Sequence, residues 1–156
     1  MLSLNIPGGK TLQLSHLVLD YNGTIAFDGR VTEGVKARLN TLAASLTIHI
    51  LTADTFGSVR QALAGLPCRL AVIPVDQQAE AKLAYVVELG PEACVCIGNG
   101  RNDRLMLKEA ALGIALVQAE GAAVEALLAA DVASFSILDA LDLLCWPLRL
   151  TATLRS

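Results

Sequence analysis

The chemistry of this sequence lies in short polar clusters that follow apolar runs, and the first is DYNGT at residues 20–24. A carboxylate at the end of a strand is well placed to act as a nucleophile, and the glycine after it permits the tight turn of an anion-binding loop. So short a pattern carries little weight alone. It predicts a nucleophilic Asp20 only if other polar groups converge on the same loop.

Two further candidates are Thr52 and Lys82. Thr52 belongs to the tripeptide TAD, which follows the next apolar run, and its hydroxyl could donate to a phosphate oxygen. A threonine at such a turn is also typical of a helix N-cap. Lys82 falls early in a helical segment, where a solitary lysine is ordinarily a solvated surface residue. Each residue therefore has a structural interpretation beside the functional one.

The fourth cluster is GNGRND at residues 98–103, after the apolar run 94–97. Two glycines and several polar residues are typical of a turn that ends in a capped helix. An acid at this place, Asp103, would also face Asp20 across the rim of a sheet. The four clusters together predict one site at which strand ends meet.

The elements that must position these residues are visible as apolar runs and helical periods. The predicted strands cover residues 16–19, 47–51, 70–73, 94–97, 113–116 and, more weakly, 131–135. The predicted helices cover residues 32–44, 57–64, 79–89, 103–111, 121–129 and 137–144. The strands are mostly apolar and lack a regular polar alternation, which indicates burial on both faces of a sheet.

Strands and helices alternate along the chain, which predicts an α/β fold with right-handed β-α-β crossovers. The expected architecture is a doubly wound, Rossmann-like parallel sheet with helices on both faces. In such a sheet ligands bind at the carboxyl ends of the strands. The polar clusters at 20–24, 52–54 and 98–103 fall there, and Lys82 falls on the helix that leads back to the sheet.

No linker or repeat divides the sequence, so we expect one domain over residues 1–156. Residues 1–14 alternate apolar and polar side chains around the turn PGGK, which predicts an N-terminal β-hairpin at the edge of the main sheet. The core is expected at 15–135 and a C-terminal helix and tail at 136–156. The apolar segment 141–150 either packs on the sheet or forms a contact between subunits of a homo-oligomer.

Composition excludes several classes of function. The sequence is 54% hydrophobic, but no run of about 18 residues lacks a charge or an amide, so no membrane-spanning helix is expected. A net charge of −3 and only six aromatic residues argue against a nucleic-acid-binding surface. The first residues lack the basic head and apolar run of a secretory signal, so a cytoplasmic location is expected. The four cysteines are interpreted as small core residues.

The order of the clusters resembles the haloacid dehalogenase superfamily, in particular the phosphorylation domain of P-type ATPases and its small relatives. Those domains carry DKTGT, TGD, a lysine and GDGxND in this order, and the sequence has DYNGT, TAD, Lys82 and GNGRND. The likeness extends over residues 16–135. Each motif is short, but the combination is specific.

The resemblance implies a function and a role for each matching residue. It implies a Mg²⁺-dependent phosphohydrolase in which Asp20 becomes an aspartyl phosphate, Thr52 binds phosphoryl oxygens and Lys82 stabilises the charge of both. The implied metal ligands are Asp20, the main-chain carbonyl of Asn22, Asn99 and Asp103. The implied phosphate-binding residues are Gly23, Thr24, Thr52, Ala53, Lys82 and Asn102. The expected partner is a small phosphorylated substrate.

Two residues depart from the family pattern. Most phosphatases of this superfamily have an acid where this sequence has Asn22, and an amide cannot protonate a leaving group. We therefore predict a preference for substrates with good leaving groups. Asn99 replaces a second acid, so the sequence predicts a modest affinity for Mg²⁺. The segments 25–51 and 53–81 are too short to contain a cap domain.

The remaining polar residues are expected to be structural. Glu33, Asp76, Glu80, Glu120, Asp139 and Asp142 fall on predicted helix starts and exposed faces. His16 and His49 lie inside predicted strands, where a histidine is usually a hydrogen-bonded core residue. Arg101 could contact a substrate or remain a solvated turn residue. A non-catalytic alternative also stays open: a phosphate- or protein-binding module, or a scaffold, that has lost efficient turnover through Asn22 and Asn99.

Overall fold

The computed structural model describes residues 1–54 and 57–156. Its strands are β1 Leu2–Asn5, β2 Thr11–Leu14, β3 His16–Asp20, β4 Ala26–Phe27, β5 Arg30–Val31, β6 Thr47–Thr52, β7 Cys68–Val72, β8 Cys94–Gly98, β9 Leu112–Leu116 and β10 Val132–Ser134. Its α-helices are α1 Val35–Leu42, α2 Ser58–Ala62, α3 Gln78–Leu89, α4 Arg104–Glu109, α5 Val124–Ala129, α6 Ile137–Cys145 and α7 Pro147–Leu154. Short 3₁₀ turns at Pro91–Ala93 and Arg101–Asp103 flank β8.

Six of the strands form the main sheet in the order β10-β9-β8-β3-β6-β7, and every neighbouring pair is parallel. The chain runs from β3 outward to β6 and β7, then returns to the other side of β3 for β8, β9 and β10. The predicted doubly wound α/β sheet is therefore confirmed. Its order reverses between β3 and β8, which is the place where such sheets form a ligand crevice.

Successive side chains of a strand point to opposite faces of the sheet, so the central strands contribute to an apolar core on each face. On one face Leu17 and Leu19 of β3 belong to the apolar cluster that includes buried residues of α1 and α6. On the other face Val18 of β3 packs in a second cluster with Val86 of α3 and Met106 of α4. Burial on both faces explains why the strands are apolar runs without a polar alternation.

The N-terminal hairpin forms as predicted, but its position differs from the prediction. β1 and β2 pair only with each other, in a separate antiparallel sheet, and do not extend the edge of the main sheet. Leu4, Leu12 and Leu14 are buried in the core cluster of α1 and α6. The alternating side chains therefore cover the end of that core, which explains why the hairpin has one apolar face.

Two small elements were absent from the sequence prediction. Residues 26–31 form the β4–β5 hairpin between the loop after β3 and α1, so α1 begins at Val35 and not at residue 32. A seventh helix, α7, follows α6 after Pro147. The residues between β3 and β6 form only β4, β5 and α1, so no cap domain is inserted there.

The C-terminal segment packs against the core in part. Leu141, Leu144 and Leu150 are buried, whereas Trp146 and Leu148 remain exposed. Arg38 of α1 donates two hydrogen bonds to the carboxylate of Asp142 on α6, at 2.7 and 3.0 Å. Of the two alternatives for this segment, packing on the sheet therefore applies to α6. Asp142 has the structural role that was expected of it.

No helix in the described part of the chain is long and apolar enough to cross a membrane. The four cysteines have free thiols, and Cys94 and Cys96 are fully buried on β8. Burial raises the pKa of the Cys94 thiol to about 11, with a further contribution from Glu92. These two residues therefore behave as the small core side chains that the sequence predicts.

Candidate active site

The site lies at the carboxyl ends of β3, β6 and β8, where three adjacent parallel strands finish together. Asp20 is the last residue of β3, Thr52 is the last residue of β6, and Asn99 directly follows β8. The register pairs Asp20 with Leu51 and Leu19 with Ile97, so Thr52 and Asn99 each lie one residue beyond the level of Asp20 at the same rim. The convergence expected from the sequence is thus produced by strand register.

A buried ammonium group joins two carboxylates at the centre of the site. Lys82 Nζ donates to Asp20 Oδ1 at 2.6 Å and to Asp103 Oδ1 at 2.5 Å. The Lys82 side chain is 1% exposed, so it is far from a solvated surface residue. A buried charge is tolerated only when it is paired and hydrogen-bonded, and here both carboxylates satisfy it. α3 carries Lys82 into the site within its first turns.

The protonation of this cluster is set by burial and by mutual charge. Burial and, after it, the nearby charge of Asp103 raise the pKa of Asp20, Lys82 and Thr24 oppose them, and the net result is a pKa of about 7. Burial acts to lower the pKa of Lys82, but the two carboxylates outweigh it and raise that pKa. Lys82 therefore stays charged, and a further cation beside Asp20 would favour its ionised form.

The loop after β3 is shaped to present Asp20. The backbone carbonyl of Tyr21 accepts hydrogen bonds from the amides of Thr24, Ile25 and Ala26, which closes a tight turn. Thr24 is fully buried, and its hydroxyl donates to Asp20 Oδ2 at 3.1 Å. Thr24 was expected to bind phosphate, but its hydroxyl is directed at Asp20. Its geometry favours a role in orienting Asp20.

Asp103 lies behind the loop that follows β8. Its Oδ2 accepts hydrogen bonds from the backbone amides of Asn99 at 3.0 Å and Gly100 at 2.8 Å, and its Oδ1 accepts from Lys82. Asp103 is 0% exposed, so protein donors surround both oxygens. Asp103 was expected among the metal ligands. The geometry favours instead a role in fixing this loop and Lys82.

An open pocket of about 310 Å³ lies above these groups. Its lining residues are Asp20, Asn22, Thr52, Ala53, Gln78, Lys82, Asn99, Gly100, Asn102 and Glu120. All but three of them, Gln78, Gly100 and Glu120, were candidates from the sequence. Gly23, Thr24 and Asp103 support the pocket from behind and do not line it.

Two pocket residues are held by hydrogen bonds that fix their direction. Thr52 Oγ1 accepts from the backbone amide of Asp54 at 3.1 Å, which leaves the hydroxyl proton of Thr52 available to a ligand. Asn102 Nδ2 donates to Gln78 Oε1 at 2.7 Å, so Asn102 is tied to the start of α3. A phosphoryl oxygen at this rim would meet donors from β6 and α3 and from the loop after β8.

Sequence reasoning missed residues on the segment after β9. Gln118 Nε2 donates to the carbonyls of Gly23 and Thr24, both at 3.0 Å, and Glu120 lines the pocket. Glu120 was expected to be structural. Their position in the sequence could have identified Gln118 and Glu120 as candidates, because this polar segment follows a predicted strand in the same way as the other clusters.

The pocket offers oxygen donors that suit a hard divalent cation. Asn99 Nδ2 donates to the carbonyl of Gly121 at 3.1 Å, and its Oδ1 accepts no hydrogen bond from the described residues. Carboxylate, amide and carbonyl oxygens are the ligands that Mg²⁺ prefers, with water completing the shell. Among the described residues, no group of three or more His, Cys, Asp or Glu is arranged as a metal site.

Other candidates lie outside the pocket. Arg101 is exposed and pairs with Glu125 of α5 at 2.9 Å, which agrees with the solvated interpretation. His49 Nε2 lies 3.1 Å from His16 Nδ1, and its Nδ1 lies 2.8 Å from Tyr85 Oη. Burial lowers the pKa of His49 to about 4, with contributions from His16 and Arg69. Both histidines are hydrogen-bonded core residues, as expected.

Comparison with known proteins identifies two archaeal relatives, although no protein-family model matches the chain. The chain is 46% identical over 79 residues to the uncharacterized protein MJ0073 of Methanocaldococcus jannaschii, which covers 48% of this chain and 85% of that protein. It is 56% identical over 39 residues to MJ0072 of the same organism, which covers 25% of this chain and 89% of that protein.

Several solved structures share the fold. One is assigned to the HAD family of hydrolases from Streptomyces avermitilis, with 23% identity, a TM-score of 0.63 and coverage of 85% of this chain and 79% of that chain. A second is the 3-deoxy-D-manno-octulosonate 8-phosphate phosphatase of Moraxella catarrhalis, at 16% identity, TM-score 0.67 and coverage of 84% and 85%. A third is a zinc-transporting PIB-type ATPase, at 26% identity, TM-score 0.61 and coverage of 78% of this chain but 20% of that chain.

Proposed function

This chain has the fold of the haloacid dehalogenase hydrolases and belongs to one family with MJ0072 and MJ0073, and on that basis we propose that it is a Mg²⁺-dependent phosphohydrolase. Its substrate is a small phosphorylated molecule. One observation carries the proposal: Lys82 bridges Asp20 and Asp103 beneath an open pocket at the sheet's switch point. Burying three charged groups costs folding free energy. Phosphoryl transfer to a carboxylate requires such a carboxylate with positive charge beside it, which explains why the cluster is present.

Asp20 is the nucleophile in this proposal. A carboxylate oxygen of Asp20 attacks phosphorus while the bond from phosphorus to the leaving oxygen breaks, and the leaving group takes the electron pair. Water then attacks phosphorus of the aspartyl phosphate, which releases inorganic phosphate and restores the carboxylate. Thr24 holds the carboxylate in the attacking orientation through its 3.1 Å hydrogen bond.

The surrounding residues bind and neutralise the transferred group. Lys82 supplies positive charge beside Asp20, and the hydroxyl of Thr52 and the amide of Asn102 supply hydrogen-bond donors at the pocket wall. These donors are fixed before a substrate arrives, so they cost no reorganisation during the reaction. Asp103 acts through Lys82 and through the loop amides of Asn99 and Gly100.

A Mg²⁺ ion would be held by the Asp20 carboxylate, the Asn22 carbonyl and the Asn99 amide oxygen. When bound, it would supply Lewis-acid charge that offsets the repulsion between Asp20 and a phosphate dianion. The Moraxella phosphatase structure contains a magnesium ion, a phosphate ion and a KDO molecule. Those ligands in a protein of the same fold support the choice of metal and of substrate class.

Asn22 sets the preferred leaving group. Its exposed side chain lines the pocket but carries no proton that it can transfer. Loss of a general acid costs about 10² to 10⁴ in rate when the leaving group must be protonated. The proposed substrates are therefore acyl phosphates, nucleoside polyphosphates or aryl phosphates, ahead of sugar phosphates.

The test is hydrolysis of an aryl phosphate with and without Mg²⁺, by the wild type and by Asp20→Asn. The wild type should be active only with Mg²⁺, and the variant should lose at least about 10³-fold in rate. Asp76→Asn is the matched control because Asp76 is exposed and does not line the pocket. Full activity of Asp20→Asn would exclude Asp20 as the nucleophile.

A second candidate function is a phosphate- or phosphoprotein-binding module. It is favoured by the two amides, Asn22 and Asn99, that stand where related phosphatases have acids. Calorimetry with inorganic phosphate in the presence of Mg²⁺ separates the two functions. Binding together with a complete absence of aryl-phosphate turnover would favour the binding module.

A further inference from the structure

A second carboxylate reaches the pocket from the segment after β9. Glu120 lines the pocket beside Asp20, Asn22 and Asn99. A Cβ atom on Gly23 would collide with Glu120 Oε2 and would lie 3.1 Å from Asn99 Nδ2. The Glu120 carboxylate therefore lies against the nucleophile loop, close to both the Asn22 and the Asn99 sides of the pocket.

The backbone that carries Glu120 is fixed to both catalytic loops. Gly121 donates its amide to the Gln118 carbonyl at 2.8 Å, which closes the turn around Glu120. Gln118 donates to the Gly23 and Thr24 carbonyls, and Asn99 donates to the Gly121 carbonyl. The turn is thus fixed against the loop after β3 and against the loop after β8, which places the backbone of Glu120 beside the pocket that its side chain lines.

The charges of the groups that line the pocket indicate a function for the Glu120 carboxylate. Asp103 is fully buried and does not line the pocket, and Asn99 is neutral, so among the expected ligands Asp20 is the carboxylate that lines the pocket. We propose that Glu120 is an anionic ligand of the divalent-cation site and replaces the carboxylate that is missing at position 99. This inference rests on the proposed function, and it assigns the site two carboxylates and two neutral oxygens.

The electrostatic balance agrees with that assignment. Lys82 carries one positive charge, and Asp20, Asp103 and Glu120 carry three negative charges, so the ionised cluster has a net charge of −2. A divalent cation would neutralise it before a phosphorylated substrate arrives. Without Glu120 the ionised cluster would carry −1, and a cation would have one carboxylate ligand. Mg²⁺ sites in proteins hold the ion through one or two carboxylates.

Calorimetric titration of Mg²⁺ tests the proposal without relying on activity. Glu120→Gln should raise the Kd for Mg²⁺ by at least about 10-fold, since loss of even an indirect ligand contact costs 10–100-fold. Glu80→Gln is the matched control, because Glu80 is exposed near the site but does not line the pocket. It removes the same charge and should leave the Kd within about 2-fold.

A compensating variant separates ligation from a structural effect. Asn99→Asp returns a carboxylate close to the position of the Glu120 carboxylate, so Asn99→Asp combined with Glu120→Gln should recover most of the lost affinity. Equal Kd values for the wild type, Glu120→Gln and Glu80→Gln would overturn the inference, as would a loss in Glu120→Gln that Asn99→Asp fails to restore. Absence of any Mg²⁺ binding by the wild type would instead defeat the metal-dependent function itself.

Discussion

Lys82 shows how one side chain determines what the pocket can accept. Its ammonium is shared between Asp20 and Asp103, so it is already neutralised before a phosphate approaches. A phosphate dianion is repelled by carboxylates unless further positive charge is present. At the scale of the residue, the proposed dependence on a divalent cation rests on the presence of two buried acids beside one buried base.

Asn22 provides a direct prediction about substrate preference. Asn22→Asp introduces an acid that can protonate a leaving oxygen, so hydrolysis of an alkyl phosphate should rise by at least about 10-fold. Hydrolysis of an aryl phosphate should change much less, because its leaving group departs without a proton. The measurement is the ratio of kcat/KM for the two substrates at saturating Mg²⁺.

Asn40→Asp is the control for added negative charge, since Asn40 is exposed on α1, outside the pocket. It should leave the ratio unchanged. An unchanged ratio in Asn22→Asp as well would show that the residue at position 22 does not limit alkyl-phosphate hydrolysis.

At the scale of elements, the pocket depends on a close fit between the loops that follow β3, β8 and β9. Gly23 has a φ of 76°, and the space beside its Cα is occupied by Glu120. The loop after β8 has the same property, because a Cβ on Gly98 would collide with the Asp103 carboxylate. Glycine at these two positions lets carboxylates lie directly against the backbone.

The chain contains a matched pair of glycines that isolates this crowding. Gly23→Ala and Gly29→Ala place a side chain at the same φ of 76°, but a Cβ on Gly29 would meet nothing within 4 Å. Both variants should lose about 1 kcal/mol of unfolding free energy through backbone strain. The atom that would collide at Gly23 is the end of the flexible, exposed Glu120 side chain, which can move away at little cost. Gly23→Ala should therefore lose little further stability, but it should lose Mg²⁺ affinity as Glu120 is displaced.

Urea unfolding followed by circular dichroism measures both variants. The Kd for Mg²⁺, measured by calorimetry, should rise in Gly23→Ala and stay unchanged in Gly29→Ala; equal Kd values at similar unfolding free energies would show that Glu120 does not contribute to the cation site from its position against the loop. That result would remove the structural support for a fixed Glu120 while leaving Asp20 and Lys82 unaffected.

The sequence predicts the sheet well because its strands are continuous apolar runs that end in polar clusters. It predicts Asp20, Thr52 and Asn99 at one rim because parallel strands end together. It fails for the β4–β5 hairpin, whose strands have two residues each, too few to show an alternating pattern. The sequence prediction also misplaces the N-terminal hairpin. Alternating apolar and polar residues show that one face of the hairpin is buried, but they do not show which element covers that face.

The site predictions differ for a related reason. Asp103 and Glu120 are both acids near strand ends, and only coordinates distinguish the one surrounded by protein donors from the one that lines the pocket. Burial of Lys82 is likewise invisible to composition. Hydrogen-bond partners, which depend on three-dimensional packing, decide these roles.

At the scale of the whole molecule, a buried polar chain ties the sheet to α3. His16 of β3, His49 of β6 and Tyr85 of α3 are hydrogen-bonded in sequence beneath the same helix that carries Lys82. His49 is 0% exposed, so protonation would place a charge inside the core. Folding stability should therefore depend on pH through this residue.

The expected pH dependence has a definite sign. His49 has a pKa of 6.5 in the unfolded chain and about 4 when folded, so its contribution is fully present above pH 6.5 and is lost as pH falls toward 4. The stability of the wild type relative to His49→Gln should shrink by about 2 to 3 kcal/mol between pH 7.5 and pH 4.

Urea unfolding across this range gives the comparison, and His16→Gln, at a partly exposed ring, should show a smaller change. Parallel stability curves for the wild type and His49→Gln would contradict a buried, neutral His49. The difference between the two proteins is the informative quantity, because the other acids and bases titrate in both.

The single tryptophan has a practical consequence for all these measurements. Trp146 lies at the junction of α6 and α7, with 61% of its surface exposed. An indole already in contact with water shifts its emission little when the chain unfolds. Intrinsic fluorescence would thus be a poor reporter of denaturation, yet a blue shift at rising protein concentration would reveal self-association through the C-terminal helices.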